Sequence, residues 1–341
     1  MTGAARRKLA APTLAMLPRI ADSLSFLYTE AVRIVQDDTG VCAQVESPRG
    51  TDRVYIPTAA LACVLLGPGT SITQPAMATI ARHGTTVVWT GAGGVRTYSG
   101  TVPASLTTAW LEKQVRAWAD DKSRLDVAVR MYEARFGLGS APVGASLAKL
   151  RGLEGARIKA LYKLLTTKHG IKRFRRNYDP EAWDSQDPVN KALSSANSCM
   201  YGVVHAAVLA LGCSPALGFI HNGTQMAFVY DVADIYKARV TIPLAFSLHD
   251  SANPERDARR RLREDFKAFK LMPKIVADVQ SLIDPSNESP AFSDRSSDIV
   301  HLWDPQMGAL PAGVNYGSES FDSFPGVPDG LDGYDLDDRD P

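Results

Sequence analysis

The sequence predicts an α+β protein with an N-terminal β-rich domain over residues 1–104, a mainly α-helical domain over 105–283 and a disordered acidic tail over 284–341. Three observations carry that division. Up to Tyr98 the apolar residues fall in short β-branched and aromatic runs separated by turn residues. After about Ser105 their period changes from two to 3.6. From Asp284 onward, charge and composition change together: residues 284–341 hold 13 acids against 2 bases, so the formal net charge of +1 hides a body of net +12. A basic body with an acidic tail points toward nucleic acid or another acidic surface as partner.

Taken in order, residues 25–28, 32–35, 41–45 and 53–56 read as strands, with turns at Asp38-Thr39-Gly40 and Pro48-Arg49-Gly50. A helix is predicted over residues 74–83, with Pro75 near its start and Gly84 at its stop. A buried strand follows over 85–89, and a turn at Gly91 to Gly94 leads into 95–98. Helical spacing then covers residues 106–136, 153–169, 189–211, 229–240, 256–271 and 273–283. The tail is rich in Pro, Gly, Ser and Asp and buries too little apolar area to offset the entropy of ordering.

No apolar run approaches the ~20 residues of a membrane-spanning helix. Arg6, Arg7 and Lys8 precede a short apolar segment in the manner of a signal peptide, but Pro12 and Pro18 break it. A soluble, cytoplasmic protein with no membrane partner is expected. Cys42, Cys63, Cys199 and Cys213 form no C-x-x-C pair, which fits free thiols in a reducing compartment.

Several motifs fail on their context. Gly91-Ala92-Gly93-Gly94-Val95-Arg96 begins like a dinucleotide fingerprint but has Arg96 at the sixth position and no helix expected after it, so it reads as a hairpin. Gly67-Pro68-Gly69-Thr70-Ser71 lacks the lysine of a P-loop and reads as a turn. His83, His169, His205, His249 and His301 have no acidic or histidine partner at a useful helical spacing.

What remains is a group in the helical domain: Glu154, His221, Asp231 and Asp234. Asp231 and Asp234 are i and i+3 on a predicted helix, among apolar neighbours Phe228, Val229, Val232 and Ile235. Buried carboxylates on one face need a balancing cation or base. Glu154 lies between glycines that permit close approach of a backbone or ligand, and His221 ends an apolar run before an Asn-Gly turn. Two carboxylates and an imidazole would suit Mg²⁺ or Mn²⁺. The alternatives are structural: Asp231 as a helix cap, Asp234 paired with Lys237, Glu154 paired near Arg157 or Lys159, and His221 as a turn residue.

Basic features supply a partner for such a site. Lys168 to Arg176 is a run of bases, and Arg256, Arg259, Arg260 and Arg263 form a helical stripe suited to phosphate contacts. Its alternative is a solvated face with pairs to Asp257 and Glu264.

At these residues the chain resembles the CRISPR-associated spacer-acquisition integrases, the "Cas-one" family, and in particular its type I-E branch. The likeness is carried by Ile56-Pro57 through Ser71, Val88 to Tyr98, Arg151-Gly-Leu-Glu-Gly-Ala-Arg157, Tyr178-Asp-Pro180, Ser198 to Gly202, Gly218-Phe-Ile-His221 and Phe228 to Ile235. The resemblance implies a homodimer built through the β-rich domain and a helical catalytic domain. It implies metal ligands at Glu154, His221 and Asp234, with Asp231 a further residue needed for activity. DNA contacts fall by the same resemblance on Arg96, Lys237, Arg256 and Arg259. The implied reaction is metal-dependent: the 3′-hydroxyl of a short double-stranded DNA fragment attacks a phosphodiester at the boundary of CRISPR repeat DNA, adding a spacer for antiviral defence. Two homodimers bridged by the small "Cas-two" dimer are the implied assembly. Other functions consistent with the residues are a metal-dependent nuclease on branched DNA without integration, and a non-catalytic DNA-binding scaffold. The tail is either a docking segment, with Phe292, Trp303, Tyr316, Phe321, Phe324 and Tyr334 among its acids, or a solubilising extension.

Overall fold

The strands run in chain order as β1 (Thr13–Met16), β2 (Phe26–Glu30), β3 (Arg33–Gln36), β4 (Val41–Ser47), β5 (Gly50–Tyr55), β6 (Cys63–Leu66), β7 (Ser71–Ile72), β8 (Thr86–Thr90) and β9 (Thr97–Thr101), with helix α1 (Gln74–Arg82) between β7 and β8. The structure is a computed structural model that describes residues 13–16, 26–47, 50–94, 96–104, 106–177, 186–265, 271–285, 301–304 and 308–311. Most of the expected acidic tail, and the Tyr178-Asp-Pro180 stretch, lie outside the described residues.

A five-stranded sheet has the order β1-β2-β6-β8-β9, in which β2, β6 and β8 are parallel and the two outer pairs antiparallel. A four-stranded sheet has the order β5-β4-β3-β7. Strand β6, central in the larger sheet, is buried on both faces, so it is apolar at every position rather than alternating. Its period of two still sorts the side chains. Leu27, Val64, Leu66 and Val87 pack with Ile34, Ala43, Ala76 and Ile80 from the smaller sheet and α1. Phe26, Tyr28, Cys63, Leu65 and Val88 point the other way, into the core shared with the helices. The turn from Gly91 is a hairpin as expected, closed by Gly91 N–H to Arg96 C=O at 2.8 Å and containing a single 3₁₀ turn.

The helices are α2 (Ala109–Ala119), α3 (Asp121–Phe136), α4 (Leu147–Lys168), α5 (Pro188–Ala210), α6 (Ala227–Lys237), α7 (Thr241–Phe246), α8 (Pro254–Asp265) and α9 (Leu271–Ile283). Three boundaries differ from the expected spans for local reasons. The stretch 106–136 divides at Asp120, whose extended backbone and carboxylate, accepting from Ser123 N–H at 2.8 Å, cap α3. Helix α4 starts six residues earlier than expected because Ser146 caps it through Lys149 N–H. Helix α7 is short and begins just after α6, with Pro243 in its first turn, where a missing N–H costs little.

Helix α5 is the centre of the helical part, with nearly all of its residues from Val189 to Ala210 buried. It packs against α6, α7, α8 and α9 and against β8 and β9. One contact has no slack: a Cβ on Gly202 would lie 2.1 Å from the backbone nitrogen of Arg96. Thr97 Oγ1 donates to Gly202 C=O at 2.8 Å across the same contact. Arg96 itself is exposed and sits at φ 71°.

By packing, the chain divides into Met1–Phe292 and Ser293–Pro341. Within the second unit, β10 (His301–Asp304) and β11 (Gly308–Pro311) pair antiparallel, with Trp303 opposite Ala309. All four cysteines are free and buried, and burial pushes the Cys213 thiol up to about 12. Among the described residues no helix is long and apolar enough to cross a membrane.

Candidate active site and nucleic-acid interface

The loop from Cys213 to His221 connects α5 to α6 and carries the imidazole. Side chains from α2, α3 and α4 grip its carbonyls. Gln114, fully buried, donates to Ser214 C=O at 2.9 Å and Leu217 C=O at 3.1 Å while accepting from Ser214 N–H. Trp118 Nε1 donates to Gly218 C=O at 3.0 Å, Arg124 donates to Gly218 and Phe219 C=O, and Arg151 donates to Ile220 C=O. Gly218 has no room for a Cβ, which would meet His221 C=O at 2.5 Å.

Asp231 holds the same loop by its N–H groups. Its buried carboxylate accepts from the backbone N–H of Phe219, Ile220 and His221 at 2.6 to 3.0 Å, and its Oδ1 lies 2.6 Å from His221 Nδ1. It therefore does not cap its own helix; it sits in the second turn of α6 and organises the preceding loop. The hydrogen bond to Asp231 raises the His221 pKa above its ordinary value, against burial, which lowers it. With Nδ1 bound to a carboxylate, Nε2 is the nitrogen left for other chemistry.

Asp234, one turn further along α6, faces a different set. Lys237 Nζ lies 2.5 Å from its Oδ1 and Arg135 Nη1 lies 3.7 Å from its Oδ2. The Lys237 pairing is the i, i+3 contact weighed from the sequence. Burial lowers the Lys237 pKa, and the charge of Asp234 together with Tyr201 and hydrogen bonds to both outweighs this and leaves it raised. Glu154, on α4, pairs with Arg135 Nη1 rather than with Arg157 or Lys159. Arg157 instead lies over the Tyr132 and Phe136 rings. Among the described residues no other backbone approaches the glycines beside Glu154: nothing lies within 4 Å of a Cβ on Gly152 or Gly155, and Gly155 lines open cleft.

The four acidic and imidazole residues are thus brought together in two pairs, Glu154 with Asp234 through Arg135, and His221 with Asp231 directly. Among the described residues no three His, Cys, Asp or Glu side chains are gathered around one metal position. The donors nevertheless suit a divalent cation. One cationic nitrogen already pairs with both Glu154 and Asp234, and a second cation, Lys237 Nζ, lies 2.5 Å from the other Asp234 oxygen.

These carboxylates open on a cleft of about 920 Å³. Its walls carry Lys159, Lys163, Arg173, Arg175, Arg176 and Lys237, with Tyr162, Phe174 and Tyr201 between them. On α4, Glu154, Ile158, Tyr162 and Thr166 recur every four residues and present one face to the cleft, with Lys159 and Lys163 beside them. Arg173, Arg175 and Arg176 of the basic run 168–176 therefore line the same cleft as Glu154 and Asp234. The α8 stripe is divided: Arg256 and Arg259 are exposed, Arg259 bonds Ser195 Oγ at 3.3 Å, and Arg260 pairs with Asp257 at 3.2 Å. Neither stripe arginine lines the cleft. Sequence reasoning missed Arg135, Gln114, Trp118 and Arg124. Arg135 follows Met131 and Tyr132 on a buried face of α3, and a charge on an apolar face was the available signal. His169 and His249, expected to stand alone, have ring centroids 5.4 Å apart.

A strand-rich N-terminal part, a helical part and a cationic cleft that holds Glu154 and Asp234 define a protein built to face an anionic ligand. Comparison with known proteins agrees. Residues 137–261 match the family model "CRISPR associated protein Cas1". The chain is 36% identical over 310 residues, 90% of its length and 100% of the other's, to a CRISPR-associated endonuclease Cas1 of Clostridium sp. (strain SY8519). It is 38% identical over 315 residues, 91% of its length and 95% of the other's, to a CRISPR-associated endonuclease Cas1 of Thermus thermophilus. A solved TtCas1–DNA complex superimposes with TM-score 0.70 at 38% identity, covering 79% of this chain and 99% of that one. The chain belongs to the CRISPR-associated Cas1 family. Membership implies dependence on a metal.

Proposed function

We propose that the chain is a divalent-metal-dependent DNA endonuclease and integrase of the type I-E branch, which joins short double-stranded DNA fragments to CRISPR repeat DNA as new spacers. The observation that carries this is the cleft itself, in which Glu154 and Asp234 stand on a wall lined by seven lysines and arginines. A duplex backbone is the polyanion that such a wall fits. The similarity to a Cas1 solved with DNA supports the same reading.

Glu154, Asp234 and His221 would hold Mg²⁺ or Mn²⁺, which when bound polarises the scissile phosphate and stabilises the leaving oxygen. Asp231 holds the His221 ring through Nδ1 and fixes the loop that presents it, so the imidazole is oriented before substrate arrives. Lys237 offsets the Asp234 charge and stands on the cleft wall beside the phosphates. Arg96, Arg256 and Arg259 extend DNA contact beyond the cleft. The 3′-hydroxyl of the fragment is the nucleophile; with water in its place the same groups cleave DNA. In this reading residues 1–104 form the dimerisation domain, 105–283 the catalytic domain and 284–341 the tail. Two homodimers joined by a small "Cas-two" dimer work in the cytoplasm.

The protein, its small partner, a short duplex and a repeat-bearing plasmid, incubated with Mn²⁺, test the reading. Joined products at the repeat boundary are expected. Cleavage alone would support a branched-DNA nuclease, and neither activity a scaffold.

A further inference from the structure

Arg135 is a buried cation with 7% of its side chain exposed, and its partners are the two carboxylates assigned to the metal. Its Nη1 pairs with Glu154 Oε1 and lies 3.7 Å from Asp234 Oδ2. Its guanidinium also lies 5.1 Å from the Phe136 ring centroid, a ring that Arg157 approaches at 4.9 Å. Arg135 Nε has no hydrogen-bond partner among the described residues, so the side chain is held by charge and ring contact rather than by a closed hydrogen-bond network.

We propose that Arg135 is a positioning residue that competes with the metal: without the ion its guanidinium bridges Glu154 and Asp234, and metal entry requires Glu154 to exchange the guanidinium for the cation. This rests on the reading of Glu154 and Asp234 as metal ligands. Two half-buried carboxylates left facing each other repel, and Arg135 removes that repulsion in the metal-free protein. A dication sharing the same oxygens would in turn repel the guanidinium at contact distance. The guanidinium already lies beside the Phe136 ring while it bridges the carboxylates, and keeping that contact lets it release Glu154 without leaving the fold. Arg135 thereby sets how tightly the site takes its ion and keeps the ligands together until it arrives.

Mn²⁺ titration of the DNA-free protein, followed by the free-ion paramagnetic resonance signal, tests this with the wild type, Arg135→Gln, Arg135→Lys and Glu154→Gln. Arg135→Gln is expected to bind Mn²⁺ roughly tenfold tighter, the scale of one charge-assisted bond removed from competition. Its metal-free form should unfold at a lower temperature and gain more from Mn²⁺ than the wild type does. Arg135→Lys, whose ammonium cannot bridge as the guanidinium does, should bind tighter than wild type by a smaller factor and carries the test if the glutamine variant does not fold. Unchanged or weaker Mn²⁺ binding in the Arg135 variants, with Glu154→Gln abolishing binding, overturns the competition and leaves the metal site standing. Binding that is absent in the wild type, or indifferent to Glu154→Gln, overturns the metal site and the competition with it.

Discussion

His221 Nδ1 and Asp231 Oδ1 lie 2.6 Å apart, and the same carboxylate accepts the backbone N–H groups of residues 219, 220 and 221. One side chain thus holds both the ring and the loop that carries it. Asp231→Ala strips three backbone donors of their acceptor and should cost about 3 kcal/mol or more, at roughly 1–3 kcal/mol for each buried group left unpaired. Asp231→Asn keeps one acceptor oxygen and should cost less. Chemical denaturation of the two variants checks the order; equal costs would contradict it.

The same pair gives a pH signature. The Asp231 hydrogen bond raises the His221 pKa in the folded protein, although burial opposes it. A raised folded pKa means a contribution to stability that is fully present below the ordinary histidine value and is lost as pH rises through the folded one. In metal-free protein, the stability gap between wild type and Asp231→Asn should therefore narrow as pH rises above the ordinary histidine value and through the raised folded one. A gap that stays constant would show that the imidazolium gains nothing from Asp231.

Gly202 is required by a backbone, not by its own conformation. A Cβ there meets Arg96 N at 2.1 Å and Arg96 Cα at 2.5 Å, neither of which is the end of a flexible side chain. Gly202→Ala should lower stability by about 1–3 kcal/mol, the usual cost of overpacking. Because the displaced turn carries Arg96, duplex affinity should fall as well. Thermal unfolding and a binding titration would show both, and a variant with wild-type values in each would refute the contact.

Lys163 and Arg173 line the cleft and are exposed, so they can be removed without disturbing a core. Each alanine variant should weaken duplex binding regardless of sequence. If each makes one phosphate contact, the slope of log affinity against log salt should become shallower by about 0.9. Slopes identical to wild type would place the DNA elsewhere.

How much of this could be read in the sequence depends on whether a residue's role is local. Helix α1 carries its own signals, Pro75 inside the first turn and Gly84 after the last, and the structure follows them closely. Strand β6 is short and apolar throughout, and its place between β2 and β8 comes from tertiary pairing that no local period reports. The i, i+3 relation of Asp231 and Asp234 suggested one shared face. The structure gives the two residues separate partners: Asp231 folds over the loop before it, while Asp234 meets Arg135 and Lys237. Arg135 lies 19 residues from Glu154 and 99 from Asp234, and a contact over that separation leaves no spacing to find. The family motifs marked Glu154 and His221 without the geometry that joins them to their supports.

In the proposed reading Glu154 acts in chemistry and not in holding DNA. Strand transfer of a short duplex into a repeat-bearing plasmid, measured with Mn²⁺ alongside duplex affinity for the wild type and Glu154→Ala, tests it most directly. Glu154→Ala is expected to lose joined products while its duplex affinity stays close to wild type. Undiminished strand transfer by Glu154→Ala would contradict it.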